Sequence, residues 1–166
     1  MEKKFELTDN FVINALGIKL FQIKCTKAFK NANEGDLGGY VEKEENLSQS
    51  GDAWVYGDAW VYGNAQVYGN AQVSGDARVY GDAWVSGDAR VENDHMHCGF
   101  DCFGSCNRHT HAYMTNENKV EIRCGCFRGS IEEFERKVKE THAGTIYEKQ
   151  YKAIINLIKI KFGIDG

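Results

Sequence analysis

The chain has 166 residues, of which 42% are hydrophobic and 27% charged, and its formal net charge is −4. That is enough apolar material for one compact domain or two small units sharing an interface. The C-terminal apolar stretches are broken by Lys159 and Lys161, and the start Met1-Glu2-Lys3-Lys4-Phe5 lacks the apolar run of a secretory signal, so the expectation is a cytoplasmic protein with no membrane segment.

Charge is placed unevenly. Asp36 to Asp94 holds eleven acidic residues against Lys43, Arg78 and Arg90, a net −8, and the remainder carries +4. Such a surface repels nucleic acid and attracts basic protein surfaces, which argues against direct nucleic-acid binding.

In chain order, Phe5 to Cys25 reads as a hairpin around Asn14-Ala15-Leu16-Gly17, with Ile18, Leu20 and Phe21, Ile23 on alternate faces. From Gly35 the chain enters a repeat. Val55, Val61, Val67, Val73, Val79, Val85 and Val91 recur every six residues, and Ala53, Ala59, Ala65, Ala71, Ala77, Ala83 and Ala89 fill a second fixed slot. A helix cannot keep a period of six on one face and a simple strand alternates with period two, so the chain must turn a corner in every hexad. Three hexads then make one triangular coil of about 18 residues, with valine inside, small alanine at the corner and Gly-Asp or Gly-Asn supplying the turn.

Residues 18 apart should stack on the outside: Trp54 with Gln72 and Arg90, Trp60 with Arg78, Gln66 with Trp84, Tyr62 with Tyr80, and Asp58 with Asp76. The expectation is that Trp54, Asp58, Trp60, Tyr62, Asp76, Tyr80 and Trp84 form an acidic, aromatic contact surface. The competing reading is that these aromatics shield ladder edges beneath the flanking segments. Val41 and Leu47 fall in the alanine slot of imperfect hexads, as in a capping coil.

Beyond the repeat, Lys119 to Phe127 alternates like a strand. Ser130 with Glu133, and Thr145 with Glu148, are capping-box pairs that open two helices. Ile131, Phe134 and Val138 make the apolar face of the first; Tyr147, Tyr151, Ile154, Ile155, Ile158 and Phe162 make that of the second, which ends at Gly163. The second stripe is expected to cover the open end of the coils. His142, between the helices, reads as a surface residue.

The fold expected is therefore mainly β: a left-handed parallel β-helix of hexapeptide repeats with an N-terminal hairpin, a C-terminal β-hairpin and two α-helices. Its segments are 1–34 (hairpin and lead-in), 35–94 (β-helix) and 95–166 (Cys/His-rich hairpin and two helices).

The run Gly35-Asp-Leu-Gly-Gly-Tyr-Val-Glu-Lys-Glu-Glu-Asn-Leu-Ser-Gln-Ser-Gly-Asp-Ala-Trp-Val55 and the hexads after it resemble hexapeptide-repeat proteins of bacteriophages and prophages. Cys124-Gly-Cys-Phe-Arg-Gly-Ser-Ile-Glu-Glu-Phe134, continuing to Lys139-Glu-Thr-His142, resembles their C-terminal strand-to-helix segment. The resemblance implies a left-handed β-helix and a phage context. Small phage proteins often act against host defences, anti-CRISPR proteins among them, and by that analogy the partner is a host protein with a basic surface, such as a Cas nuclease. The chain departs from the group between His95 and His111, where relatives have a plainer hairpin.

That departure holds the candidate metal chemistry. Cys102-x3-Cys106-x2-His109 has loop spacings compatible with a structural zinc site, Cys98 or His97 would supply a fourth ligand, and His111 with Cys124 and Cys126 stand in reserve. A Gly-rich segment with little core of its own would gain ordering energy from a closed zinc site. The other reading of these residues is free thiols and hairpin histidines.

An acyltransferase is a competing class, because hexapeptide β-helices also build those enzymes, with a catalytic histidine near the coil surface. No histidine lies between Met1 and Asp94, so the expectation is a protein that binds and does not catalyse. A third class is a structural phage component that assembles through its coil faces into a homo-oligomer.

Overall fold

The computed structural model describes residues 2–164, and chain contacts divide it into two compact units, Met1–Asp94 and His95–Gly166. Its regular structure is mainly β, with two helices at the C-terminal end. The lead-in expected as a separate segment 1–34 belongs to the first unit together with the coils.

In the first unit β1 (Phe5–Ile13) and β2 (Lys19–Cys25) form the hairpin. Asn14 closes its turn, with Oδ1 accepting from the N–H of Leu16 and of Ile18 at 2.9 Å. Strict alternation fails in β2: Leu20 and Ile23 are both fully buried, because the pairing with β3 (Leu37–Val41) shifts register between Gln22 and Lys24.

Two-residue strands follow, one per hexad: β4 (Trp54–Val55), β5 (Trp60–Val61), β6 (Gln66–Val67), β7 (Gln72–Val73), β8 (Arg78–Val79), β9 (Trp84–Val85) and β10 (Arg90–Val91). They stack in parallel at a spacing of 18 residues, as the repeat requires: Trp54 pairs with Gln72 and Gln72 with Arg90, Trp60 with Arg78, and Gln66 with Trp84. Every hexad valine from Val55 to Val91 is fully buried, and the hexad alanines are buried beside them. This is a β-solenoid with an aliphatic interior, and each buried valine contributes roughly 1.5–3 kcal/mol.

The first coil departs from the arithmetic of six. Val41 pairs with Val61 and Leu47 bridges Val67, so both occupy the valine slot and not the alanine slot. Two extra residues lie between Ser48, whose N–H reaches Val67 O, and Asp52, whose N–H reaches Gly69 O. The bulge is used: the Gln49 amide exchanges hydrogen bonds with the backbone of Lys4 and Phe5, fastening β1 to the coil.

Ending a stack of coils leaves carbonyls without donors. At this end Ala53 O takes Lys4 Nζ at 2.8 Å, Ala59 O takes the Tyr40 N–H at 2.9 Å, and Ala65 O takes Asn46 Nδ2 at 2.9 Å. Lys4 is buried, and that desolvation pulls its ammonium down to about 8 against the opposing charge of Asp52. On the far side Asp94 Oδ1 accepts the Arg78 N–H at 2.8 Å.

The second unit is a four-stranded antiparallel sheet in chain order: β11 (His97–Phe103), β12 (Arg108–Met114), β13 (Val120–Cys124) and β14 (Phe127–Ser130). The single strand expected over Lys119 to Phe127 is thus two strands, because Gly125 turns the chain with φ +58°. Helices α1 (Ile131–His142) and α2 (Ile146–Phe162) follow. Ser130 and Glu133 form the full capping box on α1; at α2 Thr145 caps Glu148, whose carboxylate reaches Gly144 N instead of Thr145 N. The stripe of α2 expected over the coil end packs on the sheet of its own unit: Tyr151, Ile154, Ile155 and Ile158 join Phe134, Val138, Ala112, Val120 and Ile122 in one core. No helix among the described residues is long and apolar enough to cross a membrane.

Candidate functional site

Outward side chains of the coils fall into files set by the 18-residue stacking, and the corners between them carry the charge. In one corner Asn70 donates to Asp88 at 3.1 Å, and in another Asn64 donates to Asp82 at 3.0 Å. The third corner has no amide: Asp58 and Asp76 follow one another, both exposed, and neither has a hydrogen-bond or ion-pair partner among the described residues, while Asp94, the next in the file, turns its carboxylate onto the Arg78 N–H. Stacked strands lie about 4.8 Å apart, so this file sets like charges within a Debye length of each other.

Aromatics extend the same surface. Tyr62 and Tyr80 stack at 5.3 Å with 15° between their planes, and Arg78 lies over Trp60 at 4.6 Å. Burial, then Tyr80 and then Asp94, pushes the Tyr62 hydroxyl above its ordinary value, with Arg78 opposing. Tyr80 is 55% and Trp84 37% exposed.

Trp54 corrects the expectation of a contact surface. It is 1% exposed, edge-on to Phe29 at 5.5 Å and to Phe5 at 6.3 Å. The loop after β2 covers this side, with Asn31 bonded to Asp52 O and to the Tyr56 hydroxyl. Shielding by a flanking segment therefore holds for Trp54, whereas Asp58, Tyr62, Asp76, Tyr80 and Trp84 retain exposed or half-buried positions and Trp60 is half-buried under Arg78. A groove of about 580 Å³, with Glu44, Glu45, Gln66 and Tyr68 around a floor of Leu47 and Val67, lies on the same unit.

In the second unit, pleating divides the candidate ligands. Cys98 lies opposite Ala112 and shares its face with the helix-side core, while His97 pairs with Tyr113 and Gly99 with His111 on the other face. Cys102 and Cys106 are exposed near and in the hairpin turn. Burial pushes the Cys98 thiol up to about 11, so it is protonated at neutral pH. Among the described residues no three histidine, cysteine, aspartate or glutamate side chains come together to hold a metal ion. The set Cys98, Cys102, Cys106, His97, His109 and His111 is therefore not assembled: strand alternation sends Cys98 and the histidines to opposite faces.

What the histidines form is a polar ladder. His97 Nδ1 and His111 Nε2 are 3.0 Å apart, and His109 Nδ1 meets Asp101 Oδ1 at 2.5 Å. His109 Nε2 is buried without a hydrogen-bond partner, facing Gly99, where a Cβ would come within 2.9 Å of it. An Asp–His pair polarises an imidazole as in general bases, yet here the far nitrogen abuts backbone. Beside it the Tyr113 hydroxyl donates to Glu121 at 2.5 Å, and Arg128 grips the same carboxylate at 2.7 and 3.2 Å. Tyr113 and Glu121 were not singled out from the sequence; the alternation His109-x-His111-x-Tyr113 and Glu121-x-Arg123 is the signal that places them together. His142, expected at the surface, is half-buried and stacks on Tyr151 at 5.5 Å.

Residues 71–87, about one coil, match the family model of the YdcK beta-solenoid repeat, so this stretch is similar to that repeat. No curated protein matches the chain significantly.

Proposed function

We propose that the chain is a non-catalytic protein-binding module whose left-handed β-helix presents a rigid, negatively charged corner to a basic partner. The observation that carries this reading is the stacked Asp58 and Asp76 pair. Two corners of the solenoid alternate asparagine with aspartate and hydrogen-bond along the stack; the third keeps like charges in register at a cost in stability, beside a stacked tyrosine pair. Charges already fixed on a stiff backbone need no reordering on binding, so they compete well for basic grooves that ordinarily hold phosphates.

The handedness rests on the hexad itself, with valine inside and alanine at the corner. The resemblance to bacteriophage hexapeptide-repeat proteins supports a reading in which the chain acts in the host cytoplasm on a host defence nuclease, a Cas nuclease being the leading case. The β-solenoid match at residues 71–87 supports the scaffold and is silent on the partner.

The test is affinity capture from bacterial lysate with the wild-type chain and with Asp58→Lys/Asp76→Lys. The proposal expects basic nucleic-acid-handling proteins that elute as salt rises and that the double variant fails to hold. Capture of the same proteins by both chains contradicts it.

A further inference from the structure

A second feature lies wholly within the C-terminal unit. Between the turn ends of β12 and β13 and the faces of α1 and α2 is a cleft of about 280 Å³. Its walls carry Arg108, Lys137 and His142 and three thiols, Cys106, Cys124 and Cys126, and no carboxylate is among them. The cleft lies in the part of the chain outside Asp36–Asp94, the part that carries the net positive charge. Arg108 has no ion-pair partner among the described residues, and its guanidinium rests on the Cys124–Cys126 turn, where a Cβ on Gly125 would come within 2.4 Å of Nη1. Among the described residues Lys137 pairs with Glu140 alone, one turn away at 3.8 Å on an exposed face.

The three thiols are not equivalent. Cys124 is buried, accepts the Thr110 hydroxyl at 3.3 Å and lies 3.8 Å from the Tyr151 hydroxyl, so it belongs to the floor. Cys106 and Cys126 are exposed at the rim. Burial first, then Cys124, raises the Tyr151 hydroxyl, which stays a neutral donor, while Arg108 pulls the other way. A small molecule in this cleft meets cations, an aromatic wall of Phe127, Phe134 and Tyr151, and two accessible sulfurs.

We propose that this cleft is a thiol–disulfide exchange site for small anionic disulfides, with Cys106 and Cys126 as the residues modified. The thiolate of either cysteine, its proton released to water, attacks one sulfur of the incoming disulfide. A new S–S bond forms to the protein and the original S–S bond breaks. Its electron pair leaves on the departing thiolate, which takes up a proton from solvent. The co-reactant is the low-molecular-weight disulfide itself, and no other oxidant is needed. Arg108 and Lys137 hold its carboxylates and favour the negative charge that develops on the leaving sulfur. Cys102 supplies an internal reference, because it is also exposed, lies outside the cleft and adjoins Asp101.

The experiment treats the intact reduced protein with limiting glutathione disulfide, which carries carboxylates, or cystamine, which carries amines, and maps the modified cysteines by mass spectrometry over time. With glutathione disulfide, Cys106 and Cys126 are expected to react at least about five-fold faster than Cys102, and with cystamine that preference disappears or reverses. Arg108→Gln/Lys137→Gln, both surface changes, should abolish the preference for glutathione disulfide. The proposal is overturned if Cys102 keeps pace with the pair, if cystamine shows the same preference, or if the double variant labels like the wild type.

Discussion

Alanine at Gly75 and at Gly57 should have very different consequences, although the two glycines occupy the same place in successive coils. Both have left-handed backbone, φ +62° and +57°. A side chain there costs about 1–2 kcal/mol, offset by roughly 0.5 kcal/mol because alanine restricts the unfolded chain. The surroundings differ. A Cβ at Gly57 would have as its nearest neighbour Gly75 O at 3.9 Å, an ordinary contact, whereas one at Gly75 would lie 2.2 Å from Glu92 O. The chain leaves the regular coil there, with Asn93 where the repeat would place glycine. Relieving the overlap requires backbone to move by about 1 Å, adding a further ~2 kcal/mol on the scale of overpacked cores. Gly57→Ala should therefore cost about 1 kcal/mol and Gly75→Ala about 3 kcal/mol, read from urea unfolding followed by tryptophan fluorescence. Equal losses would refute the reasoning, because they would mean that the repeat alone, and not its termination at Asn93, sets the cost.

Two further outcomes follow from charge. Lys4 has a folded pKa of about 8 against an ordinary value of 10.5, so between those values the unfolded chain holds a proton that the folded chain has released. Stability attributable to Lys4 should thus rise as pH increases through that window. After allowance for solvent screening, the wild type should gain about 1–2 kcal/mol relative to Lys4→Met, and parallel pH profiles for the two chains would contradict the assignment. Asp76→Asn introduces an amide into the all-aspartate file and should raise stability by about 0.5 kcal/mol in chemical unfolding. Asp88→Asn, in a corner that already has its asparagine, should give no gain; equal effects at the two sites would remove the argument from stacked charge.

Much of the fold was legible because a period of six admits few solutions. Val55 to Val91 lie inside, the 18-residue partners pair in register, and Asn14, Ser130 and Gly163 terminate the elements they were read to terminate. The register of the first coil was not legible, since two residues inserted after Ser48 leave the periodic pattern intact on both sides while moving Val41 and Leu47 into the valine slot. Trp54 shares its hexad position with the exposed Trp84, and Phe5 of β1 with the loop carrying Phe29 and Asn31, all remote in sequence, distinguish them. Among the histidines and cysteines, loop spacing suggested a cluster because it ignores pleating. Once His97 to Met114 is a hairpin, alternation puts Cys98 against the helices and His97, His109 and His111 behind the sheet. Arg108 and Lys137 come to one cleft through tertiary packing, which no local pattern signals.

The most direct measurement compares two variants that lose the same two charges, Asp58→Asn/Asp76→Asn and Asp82→Asn/Asp88→Asn, in low-salt capture of basic proteins from bacterial lysate. If the unrelieved aspartate corner is the recognition element, the first variant loses the captured proteins and the second retains them. Equal loss in both would mean that overall charge governs binding, and retention in both would mean that the coils do not bind through these residues at all.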